Sequence, residues 1–179
     1  QLARFRIPYL SVARVDGEDA ADFLQSQLSS DVKALAPGES GFGCYCTPKG
    51  QVLGLLLVAR REDGFLLAAH ADLLPGLLQR LGMYVLRSKV TLEPAEDLCV
   101  TGGQEFSHVF EPALPPMEDA DAWRAGELRA GILWLDSETA EKHIPQMLGY
   151  DRIGAVSFNK GCYPGQEIVA RARYLGKVK

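Results

Sequence analysis

The sequence predicts an α+β fold with mixed sheets and packed helices, and three observations carry that prediction. Strand-like and helix-like segments mix with local hairpins rather than alternating as regular βαβ units. Two segments place apolar residues at helical spacing, Ala20–Leu28 and Leu74–Leu81. The richest apolar run, Val52–Ala59, is bounded by turn residues and reads as a buried strand.

In order, Arg6–Val15 carries β-branched and aromatic residues and predicts a strand. Asp16 then predicts a helix start, with Asp19 adding negative charge to the positive helix end. Ala20, Phe23, Leu24 and Leu28 form one apolar stripe, and Ser29-Ser30-Asp31 ends the helix. Beyond Pro37-Gly38, Gly41–Thr47 and Gln51–Arg60 flank Pro48-Lys49-Gly50 as a hairpin. Glu62-Asp63-Gly64 turns into a strand over Phe65–His70. A helix is expected over Ala71–Leu86, its core face Leu74, Leu77, Leu78 and Leu81, with Pro75 and Gly76 disturbing its first turn. Ser88–Glu93 and Leu98–Thr101 read as short strands. Glu111–Ala122, with three prolines and four acids, reads as a connection. Glu127–Leu135 reads as a strand and Ser137–Met147 as a short helix or loop. No internal repeat or low-complexity run is present.

The 179 residues suffice for one large or two small domains, and 47% apolar with 23% charged residues is ordinary for a globular protein. No run approaches the roughly 20 apolar residues that cross a bilayer. The start, QLARFRIPYLS, lacks a charged region followed by an apolar one, so no secretory leader is expected. With no initiator Met and no stop signal after YLGKVK, the chain reads as a piece of a longer one. The four cysteines, Cys44, Cys46, Cys99 and Cys162, do not resemble a disulfide framework, so reduced thiols and a cytoplasmic setting are expected. Cys44-x-Cys46 has the wrong spacing for zinc and is expected to be a buried or half-buried strand pair. Net charge is −4, yet Lys160–Lys179 holds five basic residues and one acid, leaving −8 on the other 159 residues. A basic end on an acidic body points to an anionic ligand or partner, or else to a solvated helix face.

Asn159–Lys179 carries the chemistry. Gly161 and Gly165 permit positive φ or close backbone approach, Pro164 sets φ near a helix start, and Gln166–Arg173 continues with good helix formers. Glu167 and Arg171 stand four apart and share a face, where they can pair. Cys162 precedes the helix, between Lys160 and the positive dipole end, and both favour the reactive thiolate. A buried structural cysteine is the bland alternative. The flanking lysine and glycines favour a functional thiol.

Lys160-Gly161-Cys162-Tyr163-Pro164-Gly165-Gln166-Glu167 resembles the K-G-C-[YF]-x-G-Q-E signature of YgfZ-type proteins. Asp22–Leu28 with Asp31-Val32, Cys46-Thr47-Pro48-Lys49-Gly50, Tyr84 with Arg87-Ser88-Lys89-Val90, Arg129–Ile132 and Ile144-Pro145-Gln146 resemble the family in the same order. The resemblance implies a folate-binding fold similar to the T-protein of glycine cleavage. It divides the chain into residues 1–93 and 94–136, two α+β portions, and 137–179, the signature loop and helix leading to a C-terminal barrel that this sequence lacks. It implies tetrahydrofolate or a one-carbon derivative as cofactor and iron–sulfur client or carrier proteins as partners. The implied role is maturation or repair of iron–sulfur enzymes, including tRNA-modifying ones, with Cys162 as the key thiol. Gln166 and Glu167 are candidates for the pterin's polar edge, and Arg171 or Lys160 for a folate carboxylate. A surface ion pair is the plain alternative for Glu167 and Arg171.

Two rivals stand beside this reading. A true aminomethyltransferase carries a G-G-[IV]-x-D-D-type stretch, whereas here Gly54 and Leu55 occupy the carboxylate positions and neither can move a proton. A non-catalytic scaffold could hold an iron–sulfur client through the basic end. One cysteine cannot hold a cluster alone. Direct nucleic-acid binding is disfavoured by a pI near 5.4 and few aromatics in the basic segment. His70, His108 and His143 stand isolated in sequence. There is no P-loop or G-x-G-x-x-G fingerprint, and Gly102-Gly103 reads as a turn.

Overall fold

A computed structural model describes residues 4–115 and 119–178, with side chains described as far as 175. The first residues of the N-terminus, the middle of the proline-rich connection, the basic position Lys179 and the side chain of Lys177 lie outside the described residues. Among the described residues, no helix is long and apolar enough to cross a membrane.

The predicted first strand is two: β1 (Phe5–Arg6) and β2 (Leu10–Asp16), separated by a turn at Pro8-Tyr9. Proline fixes φ and lacks an amide, so it interrupts the ladder. Asp16 closes β2 rather than opening a helix. The chain turns through Gly17, at φ +124°, and α1 covers Ala20–Gln27. Asp19 stands at the N-cap without capping; its carboxylate accepts from the Lys89 amide at 2.8 Å. The predicted hairpin is β3 (Ser40–Cys46) and β4 (Val52–Arg60), and β5 covers Gly64–His70. Helix α2 is Leu74–Gly82, shorter than predicted at both ends. It begins beside Pro75, while Leu86 has a positive φ of 49°, which no helix accommodates. Next come β6 (Thr91–Pro94), β7 (Leu98–Gly102) and β8 (His108–Pro112).

One prediction fails outright. Glu127–Leu135 is not a strand: Ala120–Arg129 forms α3, capped by Asp119, whose Oδ1 accepts from the Ala122 amide at 3.1 Å. Gly131, at φ +86°, ends the helical segment, and the Ile132 amide donates back to the Glu127 carbonyl. Helical spacing puts Trp123, Gly126 and Glu127 on the buried face. A glycine and a glutamate there hide the amphipathic signal. The last helix, α4 (Gln166–Val178), follows the signature as predicted.

The two sheets are antiparallel throughout, ordered β3-β4-β5-β2-β6 and β1-β7-β8. Helices α1 and α2 pack on one face of the larger sheet through Phe23, Leu24, Leu74 and Leu81. Each such side chain contributes about 2 kcal/mol by leaving water. Its other face meets Val100 and Phe110 of the smaller sheet, Trp123 of α3, Trp134, Tyr150 and Val169 of α4. Covered on both faces, β4 is buried from Val52 to Ala59, hence its unbroken apolar run.

Candidate functional site

The signature segment is fastened to the body at three points. Gly165, at φ +80°, lies against the β3–β4 hairpin so closely that a Cβ would fall 2.5 Å from the Thr47 carbonyl oxygen and 2.6 Å from the Gly50 Cα. Gly50 has φ +79°, and its own Cβ would meet the Ile168 side chain at 3.1 Å. Two glycines thus let backbone touch backbone. Lys160 supplies the second fastening. Its Nζ donates to the carbonyls of Gln25, Leu28 at 2.6 Å and Ser30 at 2.8 Å, around the C-terminal end of α1. These are carbonyls that a helix end leaves short of partners. Third, the Gln146 Nε2 donates to the Val169 carbonyl at 2.8 Å.

Between the first two fastenings stands Cys162. It is exposed, whereas Cys44, Cys46 and Cys99 are buried free thiols. Cys44 and Cys46 share the face of β3 that points away from α1 and α2, towards Trp134, Tyr150 and Val169, as the strand reading expects. Burial drives the Cys44 thiol well above its usual range and pushes Cys46 up to about 12. Neither is a nucleophile at neutral pH.

The other predicted site residues are distributed as follows. The Lys160 amine is committed to three carbonyls and lies 5.4 Å from the Tyr163 ring centroid. Its burial lowers its pKa to about 8, against the upward pull of the Asp31 carboxylate. Gln166 is half-buried and Glu167 exposed in the first turn of α4; Arg171 is exposed one turn further. Among the described residues Glu167 and Arg171 form no ion pair.

A cleft of about 400 Å³ opens beside these elements, between the α1–β3 connection, β3, the 154–159 loop and α4. Ser30, Asp31, Phe42, Phe158, Asn159 and Arg173 line it. None of the five predicted site residues does. The Arg173 guanidinium lies 4.2 Å from the Phe158 ring centroid. The cleft's walls are tied by fully buried Ser29, whose hydroxyl donates to the Ala155 carbonyl at 2.7 Å and accepts from the Cys44 amide at 2.9 Å.

A second cluster was invisible in sequence. Glu127 is fully buried; its carboxyl accepts from the Tyr9 hydroxyl and from the Trp134 Nε1 at 2.9 Å, and meets the His108 Nε2 at 2.6 Å. His108, isolated in the chain, therefore has a carboxyl partner. Burial pushes Glu127 up to about 7 and His108 down to about 4, so between those values both are neutral. The clue available beforehand was an acid at helical spacing from Trp123.

The two positions where aminomethyltransferases carry acids serve packing here. A Cβ on Gly54 would lie 2.8 Å from a Leu77 methyl, and Leu55 is buried in the opposite core. Among the described residues, no three of His, Cys, Asp and Glu group so as to hold a metal ion.

No protein-family model matches the chain. An uncharacterized protein of Haemophilus influenzae is 34% identical over 92% of this chain and 66% of its own length. Proteins called tRNA-modifying protein YgfZ are similar at 28% identity: that of Colwellia psychrerythraea over 92% of this chain and 65% of its own, and that of Klebsiella pneumoniae over 94% and 67%. The chain thus spans about two thirds of the curated relatives it matches. In structure it is similar to the glycine cleavage system aminomethyltransferase T of Bartonella henselae, with a TM-score of 0.50 and 22% identity over 55% of this chain and 27% of that one. That likeness concerns the fold.

Proposed function

Since this chain is a homologue of the YgfZ-type proteins with a T-protein-like fold, we propose that it binds tetrahydrofolate or a one-carbon derivative and serves iron–sulfur enzymes, with Cys162 as the working thiol. The observation that carries this reading is the placement of Cys162. It is the exposed thiol among four, on a loop clamped by Lys160 on one side and Gly165 on the other. A clamped, accessible thiol can meet a client cluster or a one-carbon unit in a defined geometry.

On this reading Gln166 and Glu167 supply polar contacts to a bound folate, and Arg171 a cation for its glutamate. Lys160 contributes by holding the loop. Partners are iron–sulfur client or carrier proteins in the cytoplasm, and tRNA is reached through client enzymes rather than by direct contact. Gly54 and Leu55, filling apolar space where a transferase places acids, weigh against aminomethyl transfer.

The test combines calorimetry with complementation, both on the full-length protein. Tetrahydrofolate is expected to release binding heat, and Cys162→Ala to fold normally yet fail to restore iron–sulfur enzyme activity in a deletion strain. Full restoration by Cys162→Ala removes the thiol's role. Absence of heat at millimolar ligand removes the folate.

A further inference from the structure

The β7–β8 connection, residues 103–107, holds its backbone in a conformation that its side chains resist. Glu105 has φ +55° and Phe106 φ +56°. A left-handed backbone brings Cβ too close to the following carbonyl, and a bulky side chain there is an outlier. Leu86 and Glu141 are isolated cases of positive φ. Among the described residues, only here do two non-glycine residues of this kind follow one another. Arg4 fastens both ends of the connection. Its Nη2 donates to the Thr101 carbonyl at 2.8 Å, and its Nη1 to the Ser107 hydroxyl at 3.1 Å. With its ends fixed, the loop keeps its strain at Glu105 and Phe106.

Phe106 is what holds the loop in place. Its ring lodges in a notch on α3, where a Cβ on Gly126 would fall 2.3 Å from it. The same ring lies 4.9 Å from the Trp123 ring, which meets Phe5 of β1 at 5.0 Å. Against this stand three weaknesses of α3. It buries only Trp123, Gly126 and Glu127, whereas α2 buries four leucines. Gly126 is a poor helix former in the helix interior. The buried Trp123 Nε1 has no hydrogen-bond partner among the described residues, and water would give it one. Release of Phe106 therefore relaxes two left-handed residues and lets an orphan donor be satisfied, at the cost of exposing one aromatic ring. The Glu127 carboxyl, held by Tyr9, His108 and Trp134, remains as a pivot.

We propose that the 103–107 loop is a strained latch on α3. When Phe106 leaves its notch, the Trp123 half of α3 lifts from the β1-β7-β8 sheet, while the five-stranded sheet stays folded. Regions with few buried apolar contacts open at lower free energy than the whole domain. The latch makes this half of α3 the first helical segment to open, and it does not depend on the folate reading.

Hydrogen exchange on the full-length protein tests it, under conditions in which closing outruns exchange. Amides of residues 124–127 are expected to exchange at least roughly 100-fold faster than those of Val52–Ala59 in β4. Glu105→Gly accepts the left-handed backbone, so exchange at 124–127 should slow about fivefold. Gly126→Ala fills the notch and should accelerate exchange there about tenfold, although alanine is the better helix former. Unchanged rates at 52–59 verify that each variant is folded. A helix without a latch responds to Gly126→Ala with the opposite sign and ignores Glu105→Gly, a change at an exposed loop residue. Either response overturns the latch, as does exchange at 124–127 no faster than in β4. If Gly126→Ala does not fold, the unsubstituted protein and Glu105→Gly decide between the same two outcomes.

Discussion

Gly165 of the signature segment rests on Gly50 of the β3–β4 hairpin with no side chain between them: a Cβ on Gly165 would lie 2.6 Å from the Gly50 Cα. Both residues have positive φ, at +80° and +79°. A methyl at either position meets two penalties, a left-handed backbone and an overfilled contact. Gly165→Ala is expected to destabilise by about 3 kcal/mol, from roughly 1–2 for the conformation and 1–3 for the overlap. Urea unfolding measures it. A loss under 1 kcal/mol means that the hairpin and the signature loop are not in contact.

Lys160→Met keeps the stem and removes the ammonium from the carbonyls of Gln25, Leu28 and Ser30. Charge-assisted hydrogen bonds of this kind contribute about 1.5–3 kcal/mol each, and stranded carbonyls partly recover water, so a net loss of about 3 kcal/mol is expected. Faster amide exchange over residues 157–162 should accompany it. Unchanged exchange there argues against Lys160 as the loop's anchor.

Thiol modification should discriminate among the four cysteines. In the native protein one equivalent of iodoacetamide is expected on Cys162, with Cys44, Cys46 and Cys99 reacting only after unfolding. Mass spectrometry of peptides identifies the sites. Cys162→Ala, at an exposed position, should shift stability by no more than about 0.5 kcal/mol.

Glu127 and His108 titrate in opposite senses. Glu127, raised to about 7, binds its proton more tightly folded than unfolded; its contribution is full below its usual value near 4.5 and falls as pH rises towards 7. His108, lowered to about 4, does the reverse, and its contribution grows as pH rises from 4 to 6.5. The two slopes offset one another in the native protein. Glu127→Gln removes the first, so the variant's stability should climb more steeply between pH 4 and 6.5 than that of the unsubstituted chain. Parallel curves from denaturant titrations across that range would show that the pair does not titrate as described.

Restoring a carboxylate to the hairpin tests the packing account of Gly54 and Leu55. Leu55→Asp buries a charge in the apolar core and is expected to cost about 4 kcal/mol or more, with no gain of aminomethyl transfer. A stable, active Leu55→Asp protein would return the enzyme to consideration.

Local order determined much of this molecule. Period-3.6 stripes located α1 and α2, turn residues located the β3–β4 hairpin, and the glycine-bounded KGCYPGQE segment announced a loop entering a helix with Cys162 at its mouth. Each of these follows from residues within a few positions of one another. The misread element, α3, carries Gly126 and Glu127 on its buried face. Those residues make sense only through Phe106, His108 and Tyr9, which reach them from elsewhere in the chain. Cys162 was legible as a thiol ahead of a helix, but not as the exposed one of four. Nor could Lys160 be known as a clamp on α1, 130 or more residues away along the chain. Burial and hydrogen-bond partners at such separations are properties of packing. Tertiary structure alone decided them, because a side chain's solvent and neighbours are set by the surfaces that close over it.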